Sequence, residues 1–269
     1  MQDKIILITG STDGIGRQAA LELAALGSTV IVHGRDASRG KTVVEEIQTA
    51  TGNQKVDLFT ADLSSQKQVR QLATEVTRRY DHLHVLINNA GVFMNERQVT
   101  EDGLETTFAV NHLAPFLLTN LLLDLLKKSA PSRIITVSSV VHTRGRIDFD
   151  NLQAEKKFGS YGAYALSKLA NVLFTYELAH QLTGFGVTAN CLHPGVIGTK
   201  LLRNGFNTSG SSPADGAETI VYLAVSPDVE QVTGKYFQDK LGTPSSQETY
   251  DQDLRKKLWS ISEKLTGLG

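Results

Sequence analysis

Thr9-Gly10-Ser11-Thr12-Asp13-Gly14-Ile15-Gly16 decides the reading of this chain. The stretch joins a short apolar run, Ile5–Thr9, to an amphipathic segment of helical length, Ile15–Leu26. Glycines at 10, 14 and 16 let the backbone turn sharply and approach a pyrophosphate, whose charge suits a helix N-terminus. The spacing is Gly-x-x-x-Gly-x-Gly, not the commoner Gly-x-Gly-x-x-Gly. A plain tight turn can look the same. Its place at the first strand–helix junction is what makes it read as a dinucleotide loop, with Ser11, Thr12, Asp13 and Ile15 as the residues between the glycines.

Outward from the loop, short apolar runs alternate with helical stretches. Strands are expected at Ile5–Thr9, Thr29–His33, Val56–Thr60, His84–Asn88, Arg133–Ser138, Val187–His193 and Lys235–Gln238. Helices are expected at Ile15–Leu26, Arg39–Ala50, Gln66–Tyr80, Leu104–Lys128, Tyr164–Leu182 and Ala214–Ser226. This alternation implies an α/β fold of Rossmann type, a doubly wound parallel sheet with helices on both faces. Asp36 or Ser38 can cap the second helix, and Ser212-Pro213 can open the last one. No linker, repeat or low-complexity block interrupts the pattern, so residues 1–269 read as one domain. It carries a substrate loop at about 200–212 and a C-terminal helical tail.

Bulk properties narrow the class. With 41% apolar and 20% charged residues, the 269-residue chain can bury a sizeable core. A net charge of -1 gives no footprint for nucleic acid or an anionic membrane, so neither is an expected partner. The single cysteine, Cys191, lies in a strand-like run, reads as a small core residue and fits a reducing compartment. The start, Met1-Gln2-Asp3-Lys4, runs straight into a strand and has no signal-peptide pattern. Leu113–Leu126 is interrupted by Pro115, Thr119, Asn120 and Asp124, short of the roughly 20 apolar residues of a membrane span. A cytoplasmic protein without a membrane span or a metal is the expectation.

Ligands on such sheets bind at the carboxyl ends of the strands. The second strand runs Val30-Ile31-Val32-His33-Gly34-Arg35, with an arginine where an NAD-binding sheet would carry a carboxylate. A guanidinium suits a 2′-phosphate, so the chain is expected to prefer NADP(H) over NAD(H). Asp36 is read as a helix cap. Arg17 is either a second cation for that phosphate or a solvated helix residue. Further on, Tyr164-Ala165-Leu166-Ser167-Lys168 places Tyr164 and Lys168 on one helix face at i, i+4. A fixed ammonium favours the phenolate and moves a tyrosine from about 10 toward useful acid–base chemistry.

At this point the chain resembles the short-chain dehydrogenase/reductase family over nearly its whole length. The matching residues are Gly10, Gly14 and Gly16, Asp62-Leu63, Asn88-Asn89-Ala90-Gly91, Asn111, Ser138-Ser139, Tyr164 with Lys168, and Pro194-Gly195 with Thr199. The resemblance implies Tyr164 as the acid for reduction and the base for oxidation. Lys168 would hold the nicotinamide ribose and bias the tyrosine. Ser139, more than Ser138, would donate to the substrate oxygen, and Asn111 would anchor a water. Asp62 and Leu63 would meet the adenine, Asn89 and Gly91 the ribose side. Ile197 and Thr199, after Pro194, would hold the carboxamide.

Ser139 precedes Tyr164 by 25 positions, a long gap holding His142-Thr143-Arg144-Gly145-Arg146-Ile147 and Asn151-Leu152. With Ser167-Lys168-Leu169-Ala170-Asn171 and the tail Leu258-Trp259-Ser260-Ile261-Ser262, it is similar to the retinol dehydrogenase-like branch. The expected substrate is a small-molecule carbonyl or alcohol. Candidate pocket walls are Val92-Phe93-Met94, Val140-Val141-His142, Val196-Ile197, Leu201-Leu202 and Phe206, mostly apolar, which suits a hydrophobic aldehyde or ketone. Residues 200–212 are expected to form a mobile lid. The apolar helices 104–128 and 164–182 pair across a homodimer or homotetramer interface in this family, unless extra chain covers them. Two rivals share the resemblance: a light-driven double-bond reductase of the protochlorophyllide type and a non-catalytic NADP(H)-binding regulator. All four catalytic-type residues are present, which speaks against the regulator, and the lone strand cysteine speaks against the light-driven enzyme.

Overall fold

Ile5–Ile8 (β1) and Val85–Asn88 (β4) are buried along nearly their whole length, as strands covered on both faces must be. The computed structural model describes residues 4–206 and 208–269; residues 1–3, residue 207 of the expected lid, and the side chains of Asn204 and Phe206 lie outside the described residues. After β1 come Gly14–Ala25 (α1), Thr29–Gly34 (β2), Ala37–Thr51 (α2), Val56–Thr60 (β3), Gln66–Arg79 (α3) and β4. The second half holds Thr106–Phe108 (α4), Ala114–Leu121 (α5), Leu123–Lys128 (α6), Ser132–Val137 (β5), Ser160–Gln181 (α7) and Val187–His193 (β6). Lys200–Phe206 (α8), Pro213–Val225 (α9), Tyr236–Gln238 (β7), Leu241–Gly242 (β8) and Gln252–Thr266 (α10) complete it.

The strands form one sheet in the order β3-β2-β1-β4-β5-β6-β7-β8, parallel except for β8. Chain direction across the sheet reverses between β1 and β4, the switch point at which α/β sheets bind ligands. Alternate side chains feed two cores. Ile6, Ile8, Val30, Val32, Ile87 and Ile135 pack toward α1, α2 and α9. Leu7, Ile31, Leu86 and Ile134 pack toward α3, α5 and α7. Caps fall where the residues place them: Asp36 accepts from the Ser38 and Arg39 amides, and Ser212 forms a reciprocal capping box with Asp215 ahead of Pro213.

Three expected elements differ. The single helix over 104–128 is broken into α4, a π-turn over Ala109–Leu113, α5 and α6. Pro115 has no N–H to donate to the Asn111 carbonyl four residues back, and the helix winds wider there, with the Ala114 amide reaching Ala109. Helix α7 starts one turn before Tyr164, so the tyrosine stands inside the helix and not at its opening. The first half of the expected substrate loop is helix α8, whose first turn is held by Thr199 Oγ1 accepting from the Leu202 amide at 3.3 Å.

Helix α10 lies over the outer faces of α5 and α7. Trp259 packs 4.8 Å from Phe116 and 5.8 Å from Phe174, ring centroid to centroid. Leu258 is buried, and Ser262 Oγ meets His112 Nε2 at 2.9 Å. Arg70 and Gln66 of α3 donate to carbonyls at its C-terminal end. Among the described residues no helix is long and apolar enough to cross a membrane.

Candidate active site

The glycine-rich loop is built around a buried histidine. His33 ends the apolar run of β2 and accepts from the Gly10 amide at Nδ1 (3.1 Å), while Nε2 faces the Ala61 carbonyl (3.2 Å). Burial holds its pKa down to about 4, against the pull of that carbonyl and of Asp62, so the ring is neutral and bridges β1 to β3. Ser11 is fully buried, donating to the Ile8 carbonyl and accepting from the His33 amide. Its hydroxyl shapes the loop from inside. Asn89 laces the end of β4 to the same loop, Nδ2 donating to the Thr9 and Gly10 carbonyls.

The glycines fit a close approach. Gly10 and Gly14 have φ of 64° and 53°. A Cβ on Gly16 would stand 2.4 Å from Asn89 Nδ2 and 2.6 Å from the Gly10 carbonyl. Asp13 caps α1 through the Gly14 amide and pairs with Arg39 (2.7 Å) and Lys200 (3.3 Å). Burial opposes the Asp13 carboxylate, but Arg39, the Gly14 amide and Lys200 outweigh it and hold the pKa below the usual range. Thr199 lies against Gly14, its Cγ2 3.1 Å from where a Cβ would be, so the stretch after β6 closes on the loop. Ile197 is buried there, and Pro194 is half-buried. Asp62 binds the amide and hydroxyl of Ser64, and Leu63 is buried beside it. Added methyl groups would strike Ala90, Thr199 and Asn89, so the loop closes on its neighbours only with glycines, and its turn into the start of α1 fits a dinucleotide pyrophosphate.

Of the three arginines near the loop, Arg17 is ion-paired with Glu46 at 2.7 Å and Arg39 with Asp13. Arg35 is exposed at the tip of β2, and no ion pair involves it among the described residues.

The second group gathers at the ends of β4 and β5 and on the facing side of α7. Lys168 is buried, and its Nζ donates to the Val137 carbonyl at 3.0 Å and lies 5.5 Å from the centre of the Tyr164 ring. Asn111 sits in the π-turn, its Oδ1 accepting from the Val92 amide (2.7 Å) and its Nδ2 donating to the Val92 carbonyl and Ser167 Oγ. A Cβ on Gly91 would meet Asn111 Oδ1 at 3.4 Å and Lys168 Nζ at 3.6 Å, so these three positions are neighbours. Ser138 donates to the Lys168 carbonyl and is turned into α7. Ser139, two residues past the carbonyl that holds Lys168, accepts from the Val141 amide through Oγ and keeps its own proton for another acceptor.

One expectation about this group is corrected. Lys168 was expected to lower the Tyr164 pKa, but burial pushes the phenol above its usual range, and the same burial brings Lys168 from 10.5 down to about 8. Desolvation by burial is the cause in both groups. Phe93 contributes to that dryness, its ring 5.5 Å from that of Tyr164, and Gly205 of α8 lies close against the Phe93 ring.

His33, Lys200 and Arg39 were not expected at the site, and His142, expected as a pocket wall, is instead buried between the Ser139 carbonyl and the Ser246 amide. A histidine ending an apolar strand was the only available signal for His33. The others meet their partners only through the fold.

A profile of the short chain dehydrogenase family matches residues 4–209. Retinol dehydrogenase 11 from Homo sapiens is 43% identical over 274 residues, covering 98% of this chain and 86% of its own. A solved structure of an uncharacterised protein from Mycobacterium Paratuberculosis has a TM-score of 0.83 at 31% identity, covering 98% of this chain and 93% of its own. A short chain dehydrogenase from Escherichia coli CFT073, complexed with NADPH, has a TM-score of 0.74 at 31% identity, covering 88% and 96%.

Proposed function

Since this chain belongs to the short-chain dehydrogenase family, with retinol dehydrogenase relatives, we propose that it interconverts a hydrophobic aldehyde or ketone and its alcohol using NADP(H). The observation that carries this reading is the buried grouping of Tyr164, Lys168 and Asn111 beside the glycine-rich cradle, with Ser139 two residues past the Val137 carbonyl that holds Lys168. When bound, the dinucleotide supplies or takes up the hydride. Tyr164 donates its proton to the carbonyl oxygen in reduction and removes it from the alcohol in oxidation. Ser139 donates a hydrogen bond to the same oxygen. Lys168 stabilises the phenolate left after proton transfer and holds the ribose, and Asn111 orders the turn beside it. Gly10, Gly14 and Gly16 admit the pyrophosphate, Arg35 binds the 2′-phosphate, and Asp62, Leu63, Asn89, Gly91, Ile197 and Thr199 line the remaining length.

A buried Tyr164 holds its proton at neutral pH, the form that donates in carbonyl reduction. The rate constant kcat/KM for carbonyl reduction is therefore expected to be level from about pH 6 to 7. It should fall above pH 8, as Lys168, at about 8, loses the charge that receives the phenolate. A profile unchanged through pH 8 would remove the ammonium from this role.

Val92, Phe93, Val140, Val196, Leu201 and Leu202 support an apolar substrate, and the name of the relative Retinol dehydrogenase 11 places retinoid carbonyls in the test panel. NADPH oxidation is to be followed from small polar aldehydes to aryl, long-chain and retinoid carbonyls. Each buried methylene contributes about 0.8 kcal/mol, so kcat/KM should climb with apolar size. Highest activity on sugars or keto acids would show this reading of the pocket to be wrong.

We read residues 200–212 as a lid whose helix α8 rests on Phe93. Amide exchange in this segment should slow on adding NADPH with a carbonyl inhibitor, and unchanged exchange would count against a lid. With α10 covering α5 and α7, light scattering should return a mass near the 29.3 kDa of one chain. A dimer or tetramer mass would mean that α10 leaves this face or that another surface pairs.

A further inference from the structure

Ser139 stands two residues past the end of β5, at the start of a turn that packs on α7. Val140, the next residue, is 44% exposed, and the 3-10 turn Val140–Arg144 is too short to hold itself. What fixes the peptide after Ser139 is a pair of hydrogen bonds into one carbonyl. The Ser139 oxygen meets the backbone N–H of His142 at 3.0 Å and His142 Nδ1 at 2.7 Å.

The other side of the same ring is also committed. His142 Nε2 faces the backbone N–H of Ser246 at 3.1 Å, 104 residues along the chain. An amide N–H only donates and a carbonyl only accepts, so the partners assign the tautomer: Nδ1 carries the proton and Nε2 the lone pair. Burial lowers the His142 pKa, which agrees with a neutral ring. The ring is 2% exposed and lies 4.7 Å from that of Tyr236 on β7. The Ser246 end is itself anchored, since its neighbour Ser245 meets Tyr176 of α7 at 2.8 Å and Thr249 at 2.6 Å.

We propose that His142 is a positioning residue that sets the direction of the Ser139 hydroxyl by clamping the Ser139 carbonyl, with the Ser246 turn as its fixed support. The clamp rests on the reading of Ser139 as the donor to the substrate oxygen. It works through the backbone. Holding the Ser139 carbonyl fixes the peptide plane, which keeps the Val141 amide on Ser139 Oγ and so leaves the hydroxyl proton aimed at the cleft. His142 touches neither the substrate oxygen nor the proton in this scheme.

The two nitrogens can be separated by substitution. In His142→Asn the side-chain amide nitrogen reaches the Nδ1 position and can still donate to the Ser139 carbonyl, while the Ser246 bond is lost. In His142→Gln the side-chain oxygen reaches the Nε2 position and can still accept from Ser246, while the Ser139 bond is lost. Both lose the ring contact with Tyr236, so packing is affected alike. The readouts are kcat and KM for NADPH oxidation with 4-nitrobenzaldehyde, NADPH affinity by fluorescence, and the melting temperature, with Ser139→Ala alongside. His142→Asn should keep kcat within about threefold of wild type, and His142→Gln should lose about tenfold or more, with NADPH affinity unchanged in both. Equal kcat losses tracking the melting temperatures would make His142 merely structural and overturn the proposal. So would full activity in His142→Gln. Ser139→Ala with wild-type kcat would instead remove the role of Ser139 beneath it, an outcome distinct from failure of the clamp alone.

Discussion

Tyr164→Phe is expected to lower kcat for carbonyl reduction by about a thousandfold or more, the range in which a positioned general acid contributes. NADPH affinity should be nearly unchanged. The substitution removes one hydroxyl and keeps the ring, which is buried and packed 5.5 Å from Phe93, so the apolar packing is retained. Lys168→Ala should behave differently. It removes a buried ammonium bonded to the Val137 carbonyl at 3.0 Å and read as holding the ribose, so rate and cofactor affinity should fall together. Steady-state kinetics with fluorescence titration separate the two patterns. A Tyr164→Phe protein keeping a tenth of the wild-type rate would take the proton transfer away from Tyr164.

Arg35→Ala is expected to weaken NADPH binding by about 1.5–3 kcal/mol, the value of a charge-assisted hydrogen bond, and to leave NADH binding almost untouched. The reason is a difference in commitment among the cations near the cradle. Arg17 is already paired with Glu46, and Arg39 and Lys200 both serve Asp13. Asp36, the acid that could have met a ribose hydroxyl, spends its carboxylate on the Ser38 and Arg39 amides at the start of α2. Arg35 is exposed and has no ion pair among the described residues, which is why we propose it for the 2′-phosphate. Titration of both cofactors against wild type and Arg35→Ala tests this, and equal affinities for NADPH and NADH would end the assignment.

The parts of the fold that repeat locally were legible in the residues. Apolar runs such as Ile5–Ile8 and Val187–His193 declare strands buried on both faces, and Asp36 and Ser212 mark helix starts by their own side chains. Cys191 is buried in β6, as its neighbours implied. What could not be read is set by contacts distant in sequence. His33 holds the Gly10 amide 23 residues back, and Asp13 meets Lys200 across the cleft. The π-turn at Asn111 had a local cause in Pro115, but apolar periodicity alone carried the helix straight through it. The Tyr164–Lys168 spacing correctly put both groups on one face, yet spacing carries no information on how dry that face becomes. Burial is what reversed the expected direction of the tyrosine pKa.

The central claim is a hydride passed between a nicotinamide and a carbonyl carbon with Tyr164 as the proton donor, and isotope transfer tests it most directly. NADPH deuterated at the transferable position of the nicotinamide ring is to be incubated with the wild-type protein and the best aldehyde of the panel, and the product examined by mass spectrometry. The account predicts one deuterium on the carbinol carbon of the alcohol in wild type, and no labelled alcohol above background in Tyr164→Phe. Alcohol formed without the label, or labelled alcohol formed equally well by Tyr164→Phe, would contradict it.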